Sequence, residues 1–259
     1  MKASAIIQAR FNATRLPSKV MMKIMGKTIL EYVIERVGSA KNIDRIVVAT
    51  TTEKGDLPIV KLAEDLGIAV FRGSEDDVLD RYYKAARSYR LKHIVRVTAD
   101  CPLIDPEIIG TVVERYFESG ADYCSNILVE TFPDGQDLEV FKSSALAEAW
   151  KNAKLSSERE HVTPYIKKNP SRFKLVSVEN RTDLSDKRWT LDRKEDFEFI
   201  KAVLESLYPI DPAFHMSDVL ELLRKDPSLE GINKNIVRNE GYLKSLKEDK
   251  PFKASSRKA

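Results

Sequence analysis

The chain has 259 residues, 42% of them hydrophobic, which suits one large domain with an appendage. Its 43 basic and 40 acidic residues nearly cancel to a net charge of +3, which argues against a general nucleic-acid binder and confines any cationic function to a local patch. Two cysteines outside any CxxC pair, Cys101 and Cys124, argue against a disulfide scaffold or a zinc ribbon.

Residues 5–8 form a short apolar run that reads as a buried strand, with no secretory-leader pattern around it. No run approaches the ~20 apolar residues of a bilayer span. A cytoplasmic protein without membrane insertion is expected. The strand feeds a polar loop carrying Arg10, Arg15 and Lys19. Three cations on one loop repel each other unless an anion joins them. The loop is therefore either a solvated basic segment or a phosphate site, where Arg offers a planar fork and Lys a point charge. Thr28 stands at an N-cap position before Leu30, Val33, Ile34 and Val37 at helical spacing. The β-branched run 43–51 predicts a strand, and 58–66 a helix closed by Gly67. A short strand at 68–71 precedes a helix capped by Asp76 or Asp77 and striped by Val78, Leu79, Tyr82, Tyr83, Ala86 and Tyr89. Strand 93–98 ends in Ala99-Asp100-Cys101-Pro102, and Asp105-Pro106 opens a helix carrying Ile108, Val112, Val113 and Phe117. This alternation predicts an α/β fold, a mostly parallel Rossmann-like sheet with helices on both faces.

Beyond residue 120 the pattern loosens. Strands are expected at 121–125 and 138–141 around the turn at 132–135, and helices at 143–153 and 157–168, the second bent near Pro164. Residues 173–178 alternate as a half-buried strand. Residues 189–192 read as a strand end before an acidic helix start, with Phe197, Ile200, Val203 and Leu204 facing inward. A further helix is expected at 217–223. The expected organisation is a domain over 1–215, a helical appendage over 216–250 and a disordered basic tail over 251–259.

Asp100 and Asp192 lie at the carboxyl ends of two predicted strands, ends that gather on one edge of a doubly wound sheet. Two carboxylates there suit either a Mg²⁺, which needs few protein ligands, or the capping of adjacent helices. After the 68–71 strand, Gly73 permits a tight turn between Arg72 and Arg81. They add two cations near the same edge, and Asp80 with Arg81 reads equally as an exposed helix pair. Gln136, Glu139, Arg159 and His161 are polar groups able to hydrogen-bond a ligand, with Arg159 suited to an acid group. Cys101 reads as a packed small residue.

The run Ala9-Arg10-Phe11-Asn12-Ala13-Thr14-Arg15-Leu16-Pro17-Ser18-Lys19 resembles the signature loop of cytidylyltransferases that activate acidic sugars. These include CMP-KDO synthetase, the spore-coat polysaccharide biosynthesis F type and, more distantly, the acylneuraminate cytidylyltransferases. Residues 96–104 resemble that family's Gly-Asp-x-Pro-Leu-Ile segment, and 189–196 its Val-Asp-Thr-Pro-Glu-Asp segment. Residues 72–81, 134–140, 158–162 and 235–246 resemble the F-type proteins. One departure is Ser18, where the family usually has glycine before the lysine; another is Ala13 inside the loop.

The resemblance implies a glycosyltransferase-A-like nucleotidyltransferase fold and Mg²⁺-dependent transfer of CMP from CTP to an acidic sugar for surface polysaccharide synthesis. It implies Asp100 and Asp192 as metal ligands and Arg10, Arg15, Lys19 and Asp100 as catalytic. Gln8, Ala9, Arg72, Gly73, Arg81 and Thr98 join them around the nucleotide. Arg81, Gln136, Glu139, Arg159 and His161 would meet the sugar. A homodimer is expected. The alternatives are a glycosyltransferase or sugar-1-phosphate nucleotidyltransferase on the same fold, or a nucleotide-binding protein without catalysis.

Overall fold

Apolar β-branched runs fix the first half of the chain. β1 (Ala3–Gln8) leads through the basic loop to a hairpin, β2 (Lys23–Ile24) and β3 (Lys27–Thr28). The hairpin turns on Met25 and Gly26, both at positive φ, the combination a two-residue turn needs. In α1 (Ile29–Ser39) Thr28 accepts a hydrogen bond from the Glu31 amide while the Glu31 carboxylate accepts one from the Thr28 amide. β4 (Ile43–Thr51), α2 (Leu57–Asp65), β5 (Ala69–Gly73) and α3 (Val78–Ser88) follow. Asp77 caps α3 through the Asp80 amide, and Gly67 follows α2 at φ +70°. After β6 (His93–Thr98), α4 (Pro106–Ser119) is capped by Asp105 through the Glu107 amide.

The later elements are short: β7 (Tyr123–Ser125), β8 (Glu139–Lys142), α5 (Ser143–Asn152), α6 (Ser156–His161), α7 (Pro164–Lys168) and β9 (Leu175–Ser177). α8 (Lys194–Leu207), α9 (Met216–Lys225) and α10 (Glu240–Lys247) complete the chain. The structure, a computed structural model, describes residues 1–252. Of the 251–259 tail expected to be disordered, 253–259 lie outside the described residues.

The sheet runs β5-β4-β1-β6-β8-β7-β9. β5, β4, β1 and β6 are parallel, β8 runs antiparallel to β6 and β7, and β9 is parallel to β7. The fold is therefore the expected mostly parallel α/β sheet. Successive residues of β1 face opposite sides: Ala5 and Ile7 pack with α1, α2 and α4, while Ile6 packs with α3 and α5. A third cluster joins Leu16 and Tyr32 to Trp189, Leu191 and the inner faces of α8 and α9. Val219 and Leu223 of α9 thus share a core with Phe199 of α8, across the boundary expected at 215/216.

Two expectations change. The helix over 157–168 breaks at Val162, whose φ of 71° lies in the left-handed region, and Pro164 starts a new helix rather than bending one. Residues 189–192 are not a strand, because only the single bridge between Arg188 and Asp134 forms there. The turn before α8 is closed by Asp196, which accepts from the amides of Asp192 and Arg193, so Asp192 is not spent as a cap.

Candidate active site

Parallel β1, β4, β5 and β6 all end on one edge, so Gln8, Thr51, Gly73 and Thr98 stand along the same edge, where ligands bind in sheets of this kind. The basic loop leaves β1 there and is pinned at its root. The Phe11 amide donates to Asp56 Oδ1 at 2.7 Å, and Asp56 Oδ2 accepts from Thr50 Oγ1 and the Thr51 amide. The Ser18 amide returns to the Phe11 carbonyl at 2.8 Å, and Leu16 is buried in the third cluster. Ser18 sits at φ 57° and ψ 14°, so the left-handed conformation that glycine takes freely is kept by a serine.

That geometry drives Lys19 inward. Its Nζ donates to Asp100 Oδ2 at 2.6 Å, Asp192 Oδ1 at 2.7 Å and the Leu191 carbonyl at 2.7 Å. The Leu191 amide donates to the Asp100 carbonyl at 2.8 Å, which lays 190–192 against the turn after β6. The two aspartates, 92 positions apart in sequence, therefore share one nitrogen. Burial pushes the Asp100 carboxyl up, but the Lys19 ammonium outweighs it and holds the pKa at about 2. Burial pulls the Lys19 ammonium down, and Asp100 and Asp192 outweigh that too. Arg15, partly exposed, reaches Asp192 Oδ2 at 2.7 Å. Arg10 is exposed on the same loop.

Arg188 is a hub that sequence reasoning missed. Its buried guanidinium donates to Asp196 Oδ1 at 2.8 Å, Asp134 Oδ2 at 2.9 Å and Asp192 Oδ2 at 3.4 Å. The signal in the sequence is a cation directly before Trp189, in a segment that needs counter-charges for its acidic residues. Asp134 reaches this hub because Gly135 sits at φ +104°, where a Cβ would lie 2.7 Å from the Trp189 carbonyl carbon. Asp137 binds Arg238 at 2.9 Å. Burial, with Asp134 nearby, pushes the Asp137 carboxyl up to about 7.

The other expected residues divide. Arg81 is buried, donates to the Ser74 carbonyl at 2.8 Å, and leaves its Nε without a hydrogen-bond partner. Burial lowers its pKa, and nearby Arg10 lowers it further. Gly73 packs against Arg81, whose Cγ would lie 3.0 Å from any added Cβ. Gln8 Oε1 is buried and unpartnered at the end of β1, beside Ala9, while Thr98 Oγ1 meets Cys101 Sγ at 3.3 Å. Cys101 is buried, and burial raises its thiol pKa, in keeping with a packing role.

Arg72 is committed to the Thr51 and Glu53 carbonyls. Gln136 is fully buried and braces the Asp100 turn, accepting from the Asp105 amide and donating to the Leu103 carbonyl. Glu139 is buried between Arg96, Tyr123 and Thr163, and Arg159 is locked on Asp77 and the Trp150 carbonyl. Gln136, Glu139 and Arg159, expected to meet a sugar, are thus each held by protein partners in this structure. His161 faces Ser245 at 3.0 Å and the Tyr242 ring, and burial lowers its pKa to about 4.

Among the described residues no group of three or more His, Cys, Asp and Glu side chains is arranged to hold a metal. The Asp100–Asp192 pair is what remains. It already gathers its oxygens around one positive charge and presents the hard donors that magnesium prefers, so these residues fit the ion.

A family model described as cytidylyltransferase matches residues 4–224. An uncharacterized protein of Methanocaldococcus jannaschii is 42% identical over 246 residues, covering 93% of this chain and 98% of that protein. The spore coat polysaccharide biosynthesis protein SpsF of Bacillus subtilis is 32% identical over 229 residues, covering 86% of this chain and 94% of that one. A solved cytidylyltransferase structure from Leptospira borgpetersenii superposes with a TM-score of 0.85 at 35% identity, covering 92% of this chain and 98% of the other.

Proposed function

The chain belongs to the cytidylyltransferase family, and from that premise we propose that it transfers CMP from CTP to an acidic sugar with release of pyrophosphate, in surface polysaccharide biosynthesis. The observation that carries this reading is the meeting of Lys19, Arg15, Asp100 and Asp192 at the carboxyl edge of the sheet. Cations and carboxylates so arranged neutralise one another now and suit a magnesium–triphosphate later.

In the reaction a sugar hydroxyl attacks the α-phosphorus in line and pyrophosphate departs. Arg10, Arg15 and Lys19 take the charge that grows on the leaving group, a matter of position and electrostatics rather than covalent chemistry. Asp100 and Asp192 would hold Mg²⁺, which supplies charge neutralisation on the phosphates and lowers the hydroxyl's effective pKa. Gln8, Ala9, Thr98, Gly73 and Arg81 line the nucleotide side, where the unpartnered Gln8 Oε1 and Arg81 Nε remain available to a ligand. His161, held near neutrality of charge by burial, borders the sugar side. The protein works in the cytoplasm as a homodimer; no described helix is long and apolar enough to cross a membrane.

The test is a panel of sugar acids incubated with CTP and Mg²⁺ while pyrophosphate is measured. Release with at least one acid is expected. Silence across the panel, with CMP or UDP released from a nucleotide sugar instead, replaces the reading by a glycosyltransferase. Calorimetric nucleotide binding without any turnover replaces it by a binding protein.

A further inference from the structure

The Lys19 ammonium stands between two carboxylates where a divalent cation would otherwise stand. All three of its protons are committed, to Asp100 Oδ2 at 2.6 Å, Asp192 Oδ1 at 2.7 Å and the Leu191 carbonyl at 2.7 Å. The other oxygen of Asp192 is held by Arg15 at 2.7 Å and by Arg188 at 3.4 Å. Lys19 itself is buried. We infer that Lys19 is a resident counter-cation that excludes free divalent metal from the Asp100–Asp192 pair until a nucleotide triphosphate draws the ammonium away.

The reasoning is a competition. Two carboxylates brought this close need a cation, and a flexible side chain of the same polypeptide supplies one without any cost of association. A hydrated divalent ion arriving alone must displace the ammonium and leave it buried with no counter-charge, which is unfavourable. A triphosphate offers Lys19 and Arg15 new oxygens as it arrives, so their release and the freeing of both aspartates become one event. Binding of metal and nucleotide is then positively coupled through these side chains, and reciprocally so. The Leu191 carbonyl makes Lys19 more than a loose ion pair, because it fixes the ammonium from a third direction. The inference rests on the metal–nucleotide reading above.

The experiment titrates Mn²⁺ into the protein without nucleotide or sugar and follows free ion by electron paramagnetic resonance. Lys19→Met should bind Mn²⁺ at least about tenfold tighter than wild type, the factor set by a site blocked more than nine-tenths of the time. Asp100→Asn combined with Lys19→Met should lose that gain. Lys23→Met removes the same charge from an exposed side chain just beyond the loop and should change the affinity less than about twofold. Equal gains in Lys19→Met and Lys23→Met overturn the inference in favour of a diffuse field effect, and no gain in Lys19→Met overturns it outright.

Thermal melting gives the second readout. Lys19→Met, or Lys19→Gln if the first variant folds poorly, should melt below wild type and be restored by Mn²⁺, while wild type responds little. A variant that ignores Mn²⁺ counts against the proposal. Because no nucleotide or acceptor is present, a sugar panel that yields no pyrophosphate leaves this result standing on its own.

Discussion

A carboxylate held at a pKa of about 2 in a half-buried setting is a charge kept ready against its own desolvation, and Asp100 is kept so by Lys19. Asp100→Asn retains the shape and removes the charge. Nucleotidyl transfer should fall by about 10²–10³-fold, the range typical for removing one preorganised electrostatic contact, while the far-ultraviolet circular dichroism stays as in wild type. Wild-type turnover by the variant would end the assignment of Asp100. Glu139 makes a different point at the same scale. Burial raises its pKa, but Arg96 chiefly overrides burial and sets the pKa at about 2, below the ordinary 4.5. A lowered carboxyl pKa stabilises the fold above pH 4.5, and that contribution is lost as pH falls through about 2. Urea melts of wild type should therefore weaken between about pH 4.5 and 2. Glu139→Gln should flatten that slope and cost about 3 kcal/mol at neutral pH, because it strands a half-buried Arg96 without its counter-charge. The sequence reads the loop cations and the two aspartates as one site, and the fold adds partners to Glu139 that no local pattern announces. Whether a polar side chain is already spent depends on neighbours such as Arg96 and Thr163, which only the fold brings in.

At the level of elements, the caps and strands most plainly written are those whose signals are local: Thr28 ahead of α1, Asp105 before Pro106, and the β-branched run of β4. Residues 189–192 read as a strand end, but strand identity needs a ladder and this segment supplies one bridge, between Arg188 and Asp134. What positions this segment is a close backbone approach. The Asp134 amide donates to the Lys187 carbonyl at 2.9 Å, and the Trp189 amide donates to the Asp134 carbonyl at 2.6 Å. Gly135 between them takes a φ of +104° with no room for a methyl group. Gly135→Ala should therefore cost at least about 2 kcal/mol from backbone strain alone. It should also separate Asp192 from Asp100, so transfer should fall further than the lost stability explains. A melting temperature and turnover equal to wild type would show that the two segments do not depend on this contact.

Across the whole molecule, the segment after α9 returns to the Asp192 end of the site, a path no local pattern announces. Asn233 donates to Asp196, Arg238 holds Asp137 and the Phe132 carbonyl, and Glu240 pairs with Arg193 at 2.9 Å and with Arg15 at 3.8 Å. Further on, Ser245 meets His161, Ser157 donates to Asp249, and the Phe252 amide donates to the Lys154 carbonyl at 2.7 Å. α10 itself buries no residue, and exposed ion pairs such as Glu240–Arg193 contribute little to stability. A helix that costs little to remove yet touches Arg15 and His161 makes sense as a wall on the acceptor side. Ending the chain after Asn239 should accordingly lower the melting temperature by only a few degrees. The KM for CTP should change little, while the KM for the acceptor should rise about tenfold, equivalent to ~1.4 kcal/mol of lost contact. A collapse of folding would instead make the segment part of the core. An unchanged acceptor KM would free the wall for another role, and the same kinetic series on Tyr242→Ala separates those outcomes, because that substitution removes the His161 ring contact and leaves the polypeptide in place.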